Sequence, residues 1–411
     1  MWLLLKQVSF IHAADLHLDS PFKGLSQTPS NLFKMIREST FSALDELVQT
    51  AIHHQVDFVL LVGDLFDNEK QSIKAQIRLK QAFELLQQHQ ILVYLSYGNH
   101  DYIKGNKHPV TYPDNVTIFS QDTVDSIVYE KNGEAMAAIY GFSYVNRSVH
   151  ANKTSEYEKQ NESIPFHIAM LHGSVQSNTD HDVYAPFQVR DLSRKDFDYW
   201  ALGHIHQREI LKEDPPIVYP GNTQGRHRKE TGAKGCYHVV LSHAKAELSF
   251  IPLQAFQINS LTINVSECKS VLEIEQKILD ELTKQSFSVP QLIDIHLEGT
   301  GNQVVEWDKE GRIEEVIDLI NESCIQKDHW IYLFRYSIHL KTTTINPEWY
   351  KGEHFISELL HEADNQTISS LVTELYQQKR ARRFIERLTD EQEQQIKREA
   401  KELLIHEFFK E

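Results

Sequence analysis

Phe58-Val59-Leu60-Leu61-Val62-Gly63-Asp64-Leu65-Phe66-Asp67 is the stretch that sets the fold: an unbroken apolar run, a glycine, then two carboxylates. A run this short and this apolar reads as a strand buried on both faces, the kind found inside an α/β sheet. The glycine lets the chain turn, and Asp64 then lies just beyond the strand's C-terminal end, where such sheets gather ligands. Working outward, the same sentence is written four more times. Val8–His12 is followed by Asp15-Leu16-His17, and Ile91–Tyr97 by Gly98-Asn99-His100-Asp101. Phe166–Leu171 leads into His172-Gly173, and Tyr199–Leu202 into Gly203-His204-Ile205-His206. Ala137–Tyr140 is a further apolar run, while 31–54 and 72–89 carry the helical period between runs. The fold class expected for the first 250 residues is α/β.

The side chains at those run ends suit a metal. Asp, Asn and His offer hard oxygen and imidazole nitrogen, the mixture that manganese, iron and zinc accept. No thiolate takes part, which argues against a structural zinc. Asp15, His17, Asp64, Asn99, His172, His204 and His206 are too many for one tetrahedral ion, and one shared carboxylate turns them into a dinuclear centre. Each motif alone reads equally well as a turn or a surface pair. Five in order, each closing an apolar run, do not.

The rest of the chain bounds the answer. At 411 residues it is too long for one simple domain, and 41% hydrophobic residues are ample for a core. The net charge of −16 excludes a binder that works through a globally basic surface. That charge is uneven: −5 over residues 1–250, −11 over 251–368 and 0 over 369–411. Two divalent ions would bring the first part close to neutral. Cys236, Cys268 and Cys324 are too far apart for a disulfide framework or a zinc ribbon, as in a reducing compartment. The opening MWLLL is too short for a signal peptide, and no run approaches the roughly 20 apolar residues of a membrane span. The expectation is a soluble cytoplasmic chain with no membrane contact.

Beyond the last motif, the loop from Tyr219 to Lys229 places Arg226 and Arg228 where they could grip phosphates. Residues 257–340 read as a smaller α+β unit. In it Leu272, Ile274, Ile278, Leu279 and Leu282 recur at helical spacing, as do Ile313, Val316, Ile317 and Ile320. Trp330, Tyr332, Phe334, Tyr336, Ile338 and Leu340 alternate at period two, a strand face read as core. His181-Asp182 reads as a simple loop pair, His53-His54 as surface, and His89, His108, His150, His238 and His243 as structural. The tail carries the basic cluster Lys379–Arg383, a capping box at Thr389 and Gln392, and a stripe of Ile396, Ala400, Leu403 and Leu404. The boundaries expected are 1–255, 256–368 and 369–411.

Asp-x-His, Gly-Asp-x-x-Asp, Gly-Asn-His-Asp, His-Gly and Gly-His-x-His in this order resemble the calcineurin-like metallophosphoesterases. The fuller strings FIHAADLHLDSPF (10–22), LLVGDLFD (60–67) and YWALGHIH (199–206) are similar to SbcD-like DNA repair exonucleases, and most so to the YhaO type. The resemblance implies a metallophosphoesterase β-sandwich flanked by helices, then an α+β capping unit over 256–368 and a helical partner-binding tail. It implies one metal on Asp15, His17, Asp64 and His206 and another on Asp64, Asn99, His172 and His204, with manganese as the ion. By the same resemblance His100 stabilises the scissile phosphate and protonates the leaving oxygen, while Asp101 and Asp67 orient these groups. The implied activity is a DNA exonuclease in repair, partnered by an SbcC-like coiled-coil ATPase and homodimeric through helices of the first domain. Two alternatives stay open: a phosphodiesterase or phosphatase acting on a small nucleotide or phosphoprotein, and a non-enzymatic assembly scaffold.

Overall fold

The structure is a computed structural model, described over residues 6–25, 28–67, 71–105, 110–176, 184–300, 303–326, 329–340, 355–373 and 388–408. His108, the pair His181-Asp182 and the basic cluster Lys379–Arg383 lie outside the described residues.

The apolar runs are strands. In chain order the first part runs β1 (Gln7–Ala13), α1 (Ser30–His53), β2 (Phe58–Val62), α2 (Ile73–Gln88), β3 (Leu92–Ser96), β4 (Val116–Ile118), β5 (Asp125–Lys131), β6 (Glu134–Gly141) and β7 (Phe166–His172). It continues with the short helix α3 (Val189–Ser193), β8 (Tyr199–Gly203), β9 (Glu209–Glu213), β10 (Pro216–Tyr219), β11 (Gly235–Ser242) and β12 (Ala246–Pro252). Two six-stranded sheets result, in the orders β12-β11-β1-β2-β3-β4 and β5-β6-β7-β8-β10-β9. In the first, β1 to β4 pair in parallel and β11 and β12 close one side antiparallel. In the second, β6, β7, β8 and β10 are parallel, with antiparallel strands at both edges.

Strand periodicity explains why the central strands of both sheets are apolar. Along β2, Phe58, Leu60 and Val62 pack between the sheets, while Val59 and Leu61 face the helix layer. Along β8, Tyr199 and Ala201 face the first sheet, and Trp200 and Leu202 face an outer cluster with Tyr157, Phe187 and Phe197. With both faces covered, alternation carries no polar residue, so the strands read as solid apolar runs. On the helix side, Leu32, Ile36, Phe41, Leu44, Leu47 and Val48 form the buried stripe of α1. The architecture is a β-sandwich flanked by helices, and the parallel strands of both sheets end on one rim, where the polar motifs follow.

The remainder comprises β13 (Gln257–Asn264), α4 (Val271–Lys284), β14 (Gln291–Gly299), α5 (Gln303–Lys309), α6 (Arg312–Cys324), β15 (Ile331–Leu340), α7 (Phe355–Asn365), α8 (Ile368–Leu371) and α9 (Asp390–Phe408). Strands β13, β14 and β15 form a third sheet in that order. The chain divides into two compact units: 1–260 with 286–294 and 323–335, and 261–285 with 295–322 and 336–411. Trp330 packs with Phe256, Ile258, Leu292 and Phe22, so the head of the alternating stripe is core. Ile274, Ile278 and Leu282 are the buried face of α4, but Leu272 is 70% exposed. It belongs to the first turn after the cap at Ser270, on the side away from that face, and is a correction to the apolar stripe expected there. In the tail the capping box forms as expected: Thr389 Oγ1 accepts from Gln392 N–H at 3.2 Å, and Gln392 Oε1 accepts from Thr389 N–H at 3.0 Å.

Candidate active site

Beyond the strand ends the backbone leaves regular structure at once. Asp15, His17, Asp64 and His204 all adopt positive φ (53°, 43°, 51° and 98°), a region that side chains other than glycine rarely enter. Such conformations persist only where surroundings enforce them, and they gather at functional sites. Here the enforcement is visible. Asp15 N–H donates to Gly63 O at 3.1 Å, His17 N–H to Asp64 O at 3.0 Å and Leu18 N–H to Leu65 O at 2.9 Å, zipping the β1 and β2 loops together. Asp101 ties in the third loop, its two oxygens accepting from Gly98 N–H at 2.7 Å and Leu65 N–H at 2.6 Å. Gly98 is obligatory for a different reason: a Cβ there would overlap Asp64 Oδ1 and come within 2.7 Å of His172 Nε2.

These loops bring all seven expected ligand side chains together. The ligand atoms of Asp15, His17 and His206 lie within 4.8 Å of one another, as do those of Asp64, His172 and His204. Asn99 joins the second group, its Oδ1 3.1 Å from His172 Nε2 and 3.2 Å from His204 Nδ1. Asp64 Oδ2 is 3.5 Å from His172 Nε2 and 4.0 Å from His17 Nε2, so its carboxylate faces both groups. Asp15 accepts the N–H of His204 on both oxygens, at 3.2 and 3.0 Å.

The donor set fits divalent cations. His172 Nδ1–H donates to Val62 O at 3.0 Å, which turns Nε2 toward the carbonyl oxygen of Asn99 and the Asp64 carboxylate, where it either carries a proton or faces a cation. His206 Nδ1–H donates to Glu230 Oε1 at 2.6 Å, leaving its Nε2 to face His17 Nε2 at 3.0 Å. Buried acceptors that face acceptors are costly unless a cation lies among them. His17 Nδ1 is buried with no hydrogen-bond partner. The electrostatics carry the same message. Burial pushes the Asp15 carboxyl up to about 8, with Asp64 adding to the rise and His172 opposing it. Burial acts on Asp64 too, yet His172, His100 and His17 outweigh it and hold that carboxylate below its usual range. Burial opposes charge on His172, but Asp64 wins and raises it to about 9, a proton doing part of a cation's work.

Around this cluster stand the groups expected to act on substrate. His100 packs edge-on against His17, with ring centroids 5.0 Å apart, and its Nδ1–H donates to Asp67 O at 2.8 Å. Its Nε2 is left for another partner. The two loop arginines part company. Arg228 is exposed, as a phosphate contact requires, whereas Arg226 forms an ion pair with Asp67 and lies 4.0 Å from Glu230. Asp101 is buried and spends both oxygens on backbone N–H groups, so it works by positioning the loops.

Glu230 is the functional residue that sequence reasoning missed. It is 6% exposed, and hydrogen bonds from His206 and His227 overcome burial to hold its carboxyl far below the usual range. In sequence it follows Arg226, Arg228 and Lys229, where one acidic residue among cations reads as solvated charge. Lys234 Nζ, donating to His206 O at 2.9 Å, was equally inconspicuous.

The calcineurin-like phosphoesterase family matches residues 8–208. A Bacillus subtilis protein described as an uncharacterized metallophosphoesterase, YhaO, is 35% identical over 407 residues, 98% of this chain and 98% of that one. The chain belongs to the calcineurin-like metallophosphoesterases. This metallophosphoesterase is also similar to DNA double-strand break repair proteins named Mre11. That of Methanocaldococcus jannaschii is 26% identical over 281 residues, 66% of this chain and 72% of that one. That of Thermoplasma acidophilum is 25% identical over 280 residues, 63% and 72% respectively. The metallophosphoesterase is a hydrolase of a family that uses a dinuclear metal centre, and no helix among its described residues is long and apolar enough to cross a membrane.

Proposed function

We propose that this metallophosphoesterase is a manganese-dependent DNA exonuclease of repair, the nuclease subunit of a complex with an SbcC-like coiled-coil ATPase. One observation carries the reading. Similarity to the Mre11 repair proteins runs over about 280 residues, longer than the 8–208 stretch that matches the calcineurin-like phosphoesterase family. The domains at 1–255, 256–368 and 369–411 then serve as catalytic domain, cap and partner-binding tail, in a cytoplasmic complex. A homodimer through α1 and α2 is supported by apolar residues left in the open on those helices: Met35, Ile73 and Ile77 are 54%, 71% and 45% exposed.

In this reading Asp15, His17, Asp64 and His206 hold one ion, and Asp64, Asn99, His172 and His204 the other. When bound, two divalent ions supply Lewis acidity toward a phosphodiester and make water a competent nucleophile near neutral pH. The chain's own groups do the rest. His100, fixed by the Asp67 carbonyl, presents Nε2 to the leaving oxygen and in its protonated form donates to it. Arg226 holds Asp67, and through it the His100 ring, while exposed Arg228 is free to meet a backbone phosphate of the polyanion. Asp101 keeps the Gly98 and Leu65 backbones in register so that Asp64 and Asn99 converge.

The test is a nuclease assay. Purified protein with Mn(II) shortens an end-labelled linear DNA, and Asp64→Ala or His100→Ala abolishes the shortening. Hydrolysis confined to a small phosphodiester sinks the nuclease reading. No hydrolysis of any substrate, with metal bound and the ATPase present, turns the reading toward a scaffold.

A further inference from the structure

The two ligand clusters are held differently from behind. The ring of His172 is anchored by an uncharged group, its Nδ1–H donating to the carbonyl of Val62 at 3.0 Å. The ring of His206 is anchored by a carboxylate, Glu230 Oε1 at 2.6 Å. Glu230 cannot rotate away. Its other oxygen accepts from Asn222 Nδ2 at 2.9 Å and from the Arg226 backbone N–H at 2.6 Å, and the side chain is buried. From the other side, Lys234 Nζ holds the backbone carbonyl of His206 at 2.9 Å.

A carboxylate behind an imidazole does two things for a metal ligand. It fixes the tautomer, so that the far nitrogen carries the lone pair, and it makes that nitrogen more basic. A backbone carbonyl does the first but much less of the second. The far nitrogen here, His206 Nε2, is the one that faces His17 Nε2 at 3.0 Å.

We propose that Glu230 is a positioning residue that sets the affinity of the Asp15–His17–His206 group for its divalent ion, independently of the group formed by Asn99, His172 and His204. The inference rests on the dinuclear reading above. It makes the two positions unequal at His206 and His172, one ring backed by a formal charge and the other by a peptide dipole. A role as a mere loop staple, through Asn222 and Arg226, predicts something else: damage to both positions or to neither.

The experiment is calorimetric titration of Mn(II) alone into the full chain after chelation. The wild-type protein takes up two ions. In Glu230→Gln, affinity for one ion falls by about 10- to 100-fold while the other is retained. The loss is localised by double substitution. In a His17→Ala background Glu230→Gln adds nothing, and in a His172→Ala background it keeps its full effect. Unchanged affinities, or an equal fall at both positions, overturn the inference. If Glu230→Gln does not fold, Glu230→Asp draws the carboxylate back by one methylene, and a smaller fall confined to the same ion is expected; an equal fall at both, or none, overturns the inference there too. Failure of the wild-type chain to take up two ions overturns the dinuclear reading itself, and is thereby distinguished from failure of the role given to Glu230.

Discussion

At Asp64 the backbone is left-handed and the carboxylate is boxed in by His172, His17 and the backbone N–H of His100, which donates to Oδ1 at 2.9 Å. The wall that keeps this box open is the missing side chain of Gly98. Gly98→Ala is expected to destabilise the protein by about 1–3 kcal/mol through overpacking. Because the displaced atoms are the ligand oxygen and nitrogen, hydrolysis should fall by about 100-fold with the fold retained, which circular dichroism and a diester assay check together. A second residue-scale expectation concerns His12, buried in the sandwich between Tyr199 Oη and Leu202 O, both at 3.0 Å. Burial pulls it from 6.5 down to about 3, with the Leu202 hydrogen bond opposing, so it stays neutral in the folded chain while the unfolded chain takes up a proton. The contribution is fully present above pH 6.5 and is lost as pH falls from there toward 3. By pH 5 the loss amounts to about 2 kcal/mol, at 1.36 kcal/mol per unit. Urea unfolding of wild type and His12→Gln at pH 7 and pH 5 should show a smaller acid loss in the variant; equal losses contradict this account.

At the scale of elements, short-range chemistry predicted well. The helical stretches read from 31–54 and 72–89 are α1 and α2, and the apolar runs are strands, because periodicity reports burial directly. Helix α2 begins where Ser72 Oγ accepts from Ala75 N–H at 3.0 Å, and Ser72→Ala should cost about 1 kcal/mol of stability by chemical denaturation. Strands β4, β5 and β9 to β12 lie outside the apolar runs: β4, β5, β9 and β12 are partly exposed and mix polar with apolar residues, and β9–β10 and β11–β12 form as hairpins. The exposed Leu272 in α4 shows the opposite error: a residue in helical register with the core stripe lies outside its buried face.

For the whole molecule, the charge partition keeps its meaning. In the proposed reading, a first part of net −5 that two divalent ions would bring close to neutral, with the acidic 251–368 segment after it, predicts modest, salt-sensitive affinity for DNA. In the tail unit, α9 is tied to α7 by Lys401 on Asp364 at 2.6 Å and Lys397 on Asp364 O at 3.1 Å. Deleting 369–411 should spare hydrolysis of a small chromogenic diester and abolish pull-down of the SbcC-like ATPase; retention of the ATPase would remove the tail from that role.

Sequence alone determined the central sandwich strands and the seven side chains that converge beyond them. Solid apolar runs leave only one way to be buried, and Asp, Asn and His at strand ends are chemically conspicuous. Only the tertiary structure decided who stands behind them. Val62 O meets His172 from 110 residues away, Arg226 finds Asp67 across 159, and Glu230 reaches His206 across a 24-residue excursion. No local pattern encodes such pairings. They exist because burial strips these groups of water and obliges each to find its partner within the folded chain.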